Sequence, residues 1–508
     1  MEANVKGELT LETVQELLLK NASVTLDATA IQKVKDSFGF LKTFSKDKLI
    51  YGINTGLGPM AQYRIPEEQS IPLQYNLIRS HCSGAGNCLP PVYVKAMMIA
   101  RLNSFMLGYS GVHEELPLLL KDLINLEIYP CIPEHGGVGA SGDLVQLAHL
   151  ALVLIGEGEV IFNGVVKNTA GVFSECKLKP LTIHLREGLA ILNGTSAMTG
   201  IGLVNLIQAK NILNRSVMLS AMTNEVVSAF DDHFSAELNV VKKHPGQNKI
   251  AGMMRDILAD SKMIRKRSDH LYNAASIEQD VFEDKVQEYY SLRCITQVLG
   301  PIYDTISQAE QTVVNEVNSV NDNPVIDYEN RNVYHGGNFH GDYVSLEMDK
   351  LKIAITKLSM LSERQLNYLL NDKLNNKFPP FVNLGTLGFH FGMQGMQFTA
   401  TSTVAENQTL SFPMYVHSIP NNNDNQDIVS MGCNAALMTK KVIDNTLDVL
   451  TIQLMTLVQA VDYMDCSSKL SSSTRQVYQE VRKIFPKFIE DKPKYQDLKR
   501  VRELLEAL

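Results

Sequence analysis

Apolar residues along the 508-residue chain follow two regimes. Up to about residue 200 they come in short runs broken by glycine, proline and asparagine. Beyond it they recur at three- and four-residue spacing over segments of about 30 residues. In the first regime Leu11, Val14, Leu17, Leu18 and Leu19 predict the first of two short amphipathic helices within 9–46, with Thr10 as its cap. Residues 72–125 read as helical with breaks at Ser83-Gly84-Ala85-Gly86 and Gly108-Tyr109-Ser110-Gly111, and the stretch 93–107 between them is apolar and methionine-bearing. An unbroken apolar run covers 144–155. Asn163-Gly164, set between two apolar runs, predicts a two-residue hairpin. In the second regime 201–222, 285–318, 343–372 and 434–465 each predict a helix far longer than the usual length of about 11–12 residues. Such helices bundle side by side or across subunits. The expected fold is mainly α, with 1–200 as a smaller N-terminal part and 201–508 as a long-helix core.

Composition narrows the function classes. Hydrophobic residues make up 45% and charged residues 20%, ordinary for a globular chain. A formal net charge of -8 and the lack of any Lys/Arg-rich run argue against nucleic acid as a partner. The seven cysteines form no C-x-x-C pair, so neither a zinc site nor a disulfide framework is expected. Met1-Glu2-Ala3-Asn4 lacks a basic region followed by an apolar one, and the apolar runs are too short for a bilayer. A cytoplasmic chain with no membrane partner is expected.

Two glycine-rich segments stand out. Ile50-Tyr51-Gly52-Ile53-Asn54-Thr55-Gly56-Leu57-Gly58-Pro59 surrounds one tyrosine with three glycines and a proline, and is a connector or a functional loop. Gly136-Gly137-Val138-Gly139-Ala140-Ser141-Gly142-Asp143 contains G-x-G-x-x-G letter for letter. That fingerprint has meaning directly after a buried strand, and here Tyr129-Pro130-Cys131-Ile132-Pro133 precedes it, with two prolines that spoil a central strand. No P-loop signature occurs, so no nucleotide is expected. A glycine turn capping a helix that begins near Asp143 is the plain alternative. It leaves Ala140-Ser141-Gly142 unexplained. In that triple the Gly142 nitrogen can close on the Ala140 carbonyl carbon, and loss of two waters, one taking the Ser141 hydroxyl, leaves a five-membered ring with an exposed methylidene. The positive end of the following helix would help polarise such an electrophile.

Residues 136–147 resemble the signature of the aromatic amino acid ammonia-lyase and aminomutase family, in the ammonia-lyase/fumarase-like superfamily, whose members form 4-methylideneimidazol-5-one (MIO) from such a triple. The resemblance covers nearly the whole chain. Tyr51-Gly52-x-Asn54-Thr55-Gly56 resembles the family's inner loop, whose tyrosine is the catalytic base, and Asn193-Gly194-Thr195 resembles the motif whose asparagine lies beside the prosthetic group. Gln287-x-x-Tyr290-Ser291-Leu292-Arg293-Cys294 resembles the helix that supplies a glutamine, a tyrosine and a carboxylate-binding arginine. Asn321-Asp322-Asn323-Pro324, Asn338-Phe339-His340-Gly341 and Asn425-Gln426-Asp427 match further motifs. The resemblance implies MIO from Ala140, Ser141 and Gly142, with no metal and no nucleotide. It implies Tyr51 as base with Tyr290 as runner-up, Asn193, Phe339 and Gln287 as support for the ring, and Gly58, Ser80, His81, Leu144, Asn193, Arg293, Asn422 and Gln426 around the substrate. It also implies a homotetramer with composite sites.

Residue chemistry agrees with these roles. Arg293 can bind a carboxylate in bidentate fashion, and helical spacing would set Gln287, Tyr290 and Arg293 on one face. Abstraction of a β-proton needs a strong base; a free phenol ionises only near pH 10, so cations or helix ends must stand nearby. Ser80-His81 resembles histidine ammonia-lyases, whereas Gln426, where those enzymes carry a glutamate, and Asn422 resemble tyrosine ammonia-lyases, a bacterial branch of which also carries Ser-His. His81 could hydrogen-bond a substrate phenol, although a core histidine satisfied by its neighbours is the plain reading. Tyrosine leads as substrate, giving trans-4-coumarate and ammonia; histidine, giving urocanate, follows, and phenylalanine is third. A 2,3-aminomutase using the same group and a non-catalytic helical scaffold are the alternatives.

Overall fold

The computed structural model describes residues 2–20, 22–272, 280–282 and 285–507. Short elements alternate in the N-terminal part. Strand β1 (Glu2–Val5) pairs in parallel with β2 (Ser23–Leu26) across helix α1 (Leu11–Leu19). Thr10 caps α1 as its sequence predicts, its Oγ1 accepting the Thr13 N–H at 3.2 Å. Helix α2 (Ala28–Phe44) starts at Asp27, whose Oδ1 accepts the N–H groups of Thr29 and Ala30 at 2.9 and 3.0 Å. There follow α3 (Glu67–His81), β3 (Ala85–Cys88), α4 (Pro91–Met106), α5 (Glu115–Asn125), β4 (Tyr129–Pro130), β5 (Pro133–His135) and α6 (Leu144–Leu154). Strand β5 pairs antiparallel with β3, and β4 flanks the hairpin of β6 (Glu159–Phe162) and β7 (Val165–Asn168). Asn163 and Gly164 sit at φ 54° and 75°, the two left-handed positions of a type I′ turn. Asn168 then caps α7 (Thr169–Cys176), and α8 (Glu187–Leu192) leads into α9 (Ser196–Val227).

The long apolar patterns become long helices: α9, then Ile295–Val317, Asp342–Leu370 and Gly432–Met464. One expectation is corrected. The pattern at 285–318 predicts a continuous helix, but helical structure there starts with a short turn, Tyr290–Arg293, and resumes at Ile295. Gln287 therefore lies ahead of the helix rather than on its face. Among the described residues no helix is long and apolar enough to cross a membrane.

Contacts divide the chain into two units. One comprises Met1–Ile207, Gln308–Asp349 and Pro413–Lys440; the other comprises Gln208–Ser307, Lys350–Phe412 and Lys441–Leu508. Four of the five divisions fall inside long helices. The 200/201 boundary thus marks a change of apolar pattern and does not coincide with these units.

In the second unit a buried polar ladder fixes helix register. Gln365 donates to Ser220 Oγ at 3.0 Å and to the Ser291 carbonyl at 2.9 Å, while Gln453 donates to Gln365 Oε1 at 2.7 Å and to Thr223 Oγ1 at 3.2 Å. Each amide has a partner, which is what makes such a network tolerable in a core. In the first unit α4 is buried from Tyr93 to Met106. Its backbone meets α9 at Gly200, where an added Cβ would lie 2.5 Å from the Met97 nitrogen. The obstacle is backbone and cannot rotate away. Gly200→Ala is expected to destabilise the protein by about 1–3 kcal/mol through overpacking, measured as a lower denaturant midpoint; an unchanged midpoint would mean that the two helices separate freely.

Candidate active site

The stretch 136–143 links β5 to α6 and is fixed through its backbone. The Val138 carbonyl accepts the Met431 N–H at 2.9 Å, and the Gly139 carbonyl accepts from the Gly341 N–H at 3.0 Å and from Ser430 Oγ at 2.9 Å. Gly142 bridges to Gly194, whose carbonyl accepts the Asp143 N–H at 2.8 Å. Gly142 has φ 72°, and an added Cβ there would lie 2.0 Å from the Gly194 oxygen. Only glycine fits, both for conformation and for space.

This pairing carries Ser141 to two amide donors. Asn193 Nδ2 donates to the Ser141 carbonyl oxygen and Gln426 Nε2 donates to its hydroxyl oxygen, both at 2.8 Å. The Asn193 amide has its orientation fixed from the other side, since its Oδ1 accepts the Asn323 N–H at 2.9 Å. Behind it the buried Arg101 donates to Asn321 Oδ1 at 3.0 Å, to the Asn193 carbonyl at 2.9 Å and to the Ala190 carbonyl. Burial pushes the Arg101 guanidinium down to about 10.

Asp143 does not cap α6, which it directly precedes. Its carboxylate instead accepts the Met198 N–H at 2.8 Å in the first turn of α9, and Cys433 Sγ donates to its other oxygen at 3.0 Å. It thus satisfies an orphan donor of a different helix. Burial pushes the carboxyl up to about 6, against the hydrogen bonds from Cys433, Met198 and Ala197.

A cavity of about 260 Å³ opens beside Ser141, lined among others by His81, Gly137, Leu144, Asn422 and Gln426. His81 Nδ1 lies 3.0 Å from the Leu77 carbonyl and 3.0 Å from Ser80 Oγ. A carbonyl only accepts, so Nδ1 carries the proton and Nε2 is left as an acceptor. Asn422 is held in a tight loop, closed by the N–H groups of Asn421 and Gln426 donating to each other's carbonyls at 3.1 and 3.3 Å. Asn422, Asn423 and Asp424 all have φ between 54° and 60°, conformations that Asn and Asp tolerate best among non-glycine residues. An added Cβ on Gly58 would lie 2.9 Å from Asn422 Nδ2, and the Gly58 N–H donates to the Tyr51 phenol oxygen at 3.0 Å. Tyr51 therefore stands behind Gly58, two contacts from the cavity lining at Asn422. Its loop is closed by the Gly56 N–H bonding the Tyr63 carbonyl at 2.8 Å and by Gln74 donating to the Gly52 carbonyl at 3.0 Å. The buried Arg186, hydrogen-bonded to the carbonyls of Ser110 and Asn323 at 2.6 and 2.7 Å, feels the charges of Asp322 and Tyr51.

Other residues singled out from sequence lie elsewhere. Phe339 is half-buried, two residues before Gly341, which anchors that loop to Gly139. Gln287, Tyr290 and Arg293 belong to the second unit and line a cavity of about 300 Å³ with Glu288 and Tyr289. There Arg293 donates to Gln287 Oε1 and its guanidinium sits 4.9 Å from the Tyr290 ring centroid. None of the three lines the Ser141 cavity. Sequence reading missed Arg101, Arg186, Asp143 and Cys433 as parts of this site. A buried arginine bonded to distant carbonyls leaves no local pattern, and Asp143 was obscured by its position at a helix start.

The raised Asp143 pKa has a pH consequence. The folded state holds this proton more tightly than the unfolded chain, so its contribution to stability is fully present below pH 4 and is lost as pH rises through about 6. The loss amounts to at most about 3 kcal/mol. Asp143→Asn is expected to flatten that part of the stability profile, measured by denaturant unfolding between pH 4.5 and about 7.5; parallel profiles for the two proteins would overturn the assignment.

Comparison with known proteins gives this geometry its family. The model of the aromatic amino acid lyase family matches residues 9–483. A tyrosine 2,3-aminomutase from Myxococcus sp. (strain Mx-B0) is 39% identical over 488 residues, covering 95% of this chain and 93% of that protein. A tyrosine ammonia-lyase from Cupriavidus metallidurans is 37% identical, covering 99% and 96%. Relatives named histidine ammonia-lyase and MIO-dependent tyrosine 2,3-aminomutase also match. The crystal structure of the tyrosine aminomutase from Streptomyces globisporus superposes with a TM-score of 0.96 at 35% identity, covering 100% of this chain and 97% of that one. With a mainly helical fold, and with Ser141 between Asn193 and Gln426 at its cavity, the chain belongs to the aromatic amino acid lyase family, which takes in ammonia-lyases and aminomutases.

Proposed function

We propose that the protein removes ammonia from an aromatic L-amino acid, with L-tyrosine as the preferred substrate and trans-4-coumarate as the product, using an MIO group made from Ala140, Ser141 and Gly142. The observation that carries the reading is Ser141 held at a cavity wall between two amide donors, one on its carbonyl oxygen and one on its hydroxyl. The residues fit the group: Ala140 is small and buried, Gly142 occupies a position closed to any side chain, and Asn193 already donates to the oxygen that the ring would retain as its carbonyl. When formed, the group supplies an electrophilic carbon for the substrate amine.

The chain's own residues then divide the remaining work. In the elimination the Cα–N and Cβ–H bonds break, the Cα–Cβ double bond forms, and the β-proton passes to the Tyr51 oxygen. The Gly58 N–H donates to that oxygen at 3.0 Å. Asn193 is an oriented donor to the Ser141 oxygen and would stabilise negative charge there. Gln426 faces the reacting side and Leu144 supplies an apolar wall. His81 Nε2, hydrogen-bonded to no described residue, receives the substrate phenol. Arg293 pairs with the substrate carboxylate, with Tyr290 and Gln287 beside it, and Phe339 supports the loop at Gly139. We place these second-unit residues at the cavity of another subunit, in a homotetramer with composite sites.

A second reading is favoured by one observation, the 39% identity to proteins named tyrosine 2,3-aminomutase. There ammonia re-adds at Cβ before the product leaves. Incubation with L-tyrosine, L-histidine and L-phenylalanine separately, followed by chromatography, distinguishes the readings. Coumarate as the main product is expected. β-Tyrosine as the main product would select the aminomutase, and urocanate would sink the tyrosine assignment.

Two substitutions test the parts. Ser141→Ala is expected to stay folded, to have the full mass of its sequence where the parent is lighter by two waters, and to lose turnover by at least about 10³-fold. A parent at full sequence mass would refute the self-made group. His81→Leu is expected to shift the tyrosine-to-phenylalanine ratio of kcat/KM toward phenylalanine by about 10- to 100-fold, since the phenol loses its acceptor. An unchanged ratio would return His81 to the status of a satisfied core residue.

A further inference from the structure

We propose that His113, Glu115 and His184 bind one divalent transition-metal ion of the zinc class, at a structural site separate from the Ser141 cavity. His113 and Glu115 stand at the start of α5 and His184 lies just ahead of α8. One ligand atom from each residue lies within 4.8 Å of the other two, and His113 Nδ1 is 3.7 Å from Glu115 Oε2. The two imidazole rings lie 4.8 Å apart between centroids with their planes tilted by 48°, and Phe38 packs edge-on against both at 5.1 and 5.9 Å.

The scaffold under the two histidines is unusually well fixed. Both oxygens of the buried Glu187 are used, one accepting the His113 N–H and the other the His184 N–H, each at 2.6 Å. A single carboxylate thus sets the spacing of both ligand backbones. The charge balance points the same way. Among the described residues neither Glu115 nor Glu187 forms an ion pair with a lysine or arginine, and neither ring nitrogen of His184 has a hydrogen-bond partner. The charges felt at His184 are those of His113, Glu115 and Lys42.

Two imidazoles and one carboxylate form the donor set suited to Zn(II) and its neighbours, and unsuited to Ca(II) or Mg(II), which take oxygen ligands. Around zinc, tetrahedral bonds of about 2.1 Å set ligand atoms about 3.4 Å apart. The ligand atoms lie within 4.8 Å of one another, so binding would draw them closer, and Glu115 is an exposed side chain. The ion takes no part in the elimination. It joins the segment 110–115 to the segment before α8, the same two segments that Arg186 bridges through the Ser110 carbonyl at 2.6 Å. Its expected effect is on the stability of that junction.

The test uses the full-length, untagged protein stripped with EDTA. Calorimetric titration with Zn(II) is expected to show one ion per chain at a Kd of about 10 μM or tighter, and Co(II) to give the visible bands of a tetrahedral nitrogen–oxygen site. Zinc at about 100 times Kd should raise Tm by about 2–3 °C. His113→Gln and His184→Gln are each expected to weaken binding at least about 10-fold while leaving the metal-free Tm near the parent's. Glu115→Gln, an exposed substitution that cannot unfold the chain, should abolish the cobalt spectrum. Absence of saturable binding below about 100 μM, or equal binding by Glu115→Gln and by a His113→Gln/His184→Gln double variant, would overturn the site.

Discussion

The candidate site depends on a contact between two backbones. Gly142 and Gly194 meet so closely that a methyl group on the first would lie 2.0 Å from the carbonyl oxygen of the second. Because the residues just before each glycine are Ser141 and Asn193, this contact by itself delivers the Asn193 amide to the Ser141 carbonyl. Backbone contacts of this kind have few degrees of freedom, which suits a segment expected to react with itself. Glycine-rich loops lose more conformational entropy on folding than other segments. Here the loss is offset by bonds on three successive sides, from Met431 to Val138, from Gly341 and Ser430 to Gly139, and from Asp143 to Gly194.

Two buried arginines extend the same constraint outward. Arg101 takes the carbonyls of Ala190 and Asn193 at the negative end of α8, and Arg186 takes those of Ser110 and Asn323. Removing such a cation from water is costly unless several acceptors replace the lost hydration. The acceptors used are the carbonyls of Ala190, Asn193, Ser110 and Asn323, the side chain of Asn321 and the Asp322 carboxylate. The arginines therefore position the segment whose Asn323 N–H orients the Asn193 amide. A chain of single hydrogen bonds leads from a buried charge to the Ser141 oxygen, and each link has one geometry.

Features governed by neighbours in sequence were legible without coordinates: the Thr10 cap, the Asn163-Gly164 turn, the long apolar helices and the glycine requirement at 142. The family motifs likewise named Asn193 and Gln426, which do meet Ser141. What escaped depends on partners far along the chain. Asp143 looks like a helix cap and is one, but for α9 rather than α6. Gln287 fits the helical period of Tyr290 and Arg293, yet the helix starts after it, so periodicity set it on a face that does not exist. His113 and His184 are 71 residues apart with no shared motif, and only the folded Glu187 carboxylate brings their backbones together.

The same geometry bears unequally on the three substrates. With Nδ1 committed to the Leu77 carbonyl, His81 offers an acceptor at Nε2. A tyrosine phenol is a donor and satisfies it, whereas a phenylalanine ring leaves it bare, so the penalty falls squarely on phenylalanine. A histidine substrate can also present an N–H, and His81 alone separates it from tyrosine poorly. On the proposed reading the discrimination against histidine falls to Gln426, a neutral amide that also lines the cavity. A carboxylate at that position would attract an imidazolium and could hold a second proton; an amide does neither. On the proposed reading, the neutral amide at 426, rather than the shape around His81, is what would favour a phenol over an imidazolium.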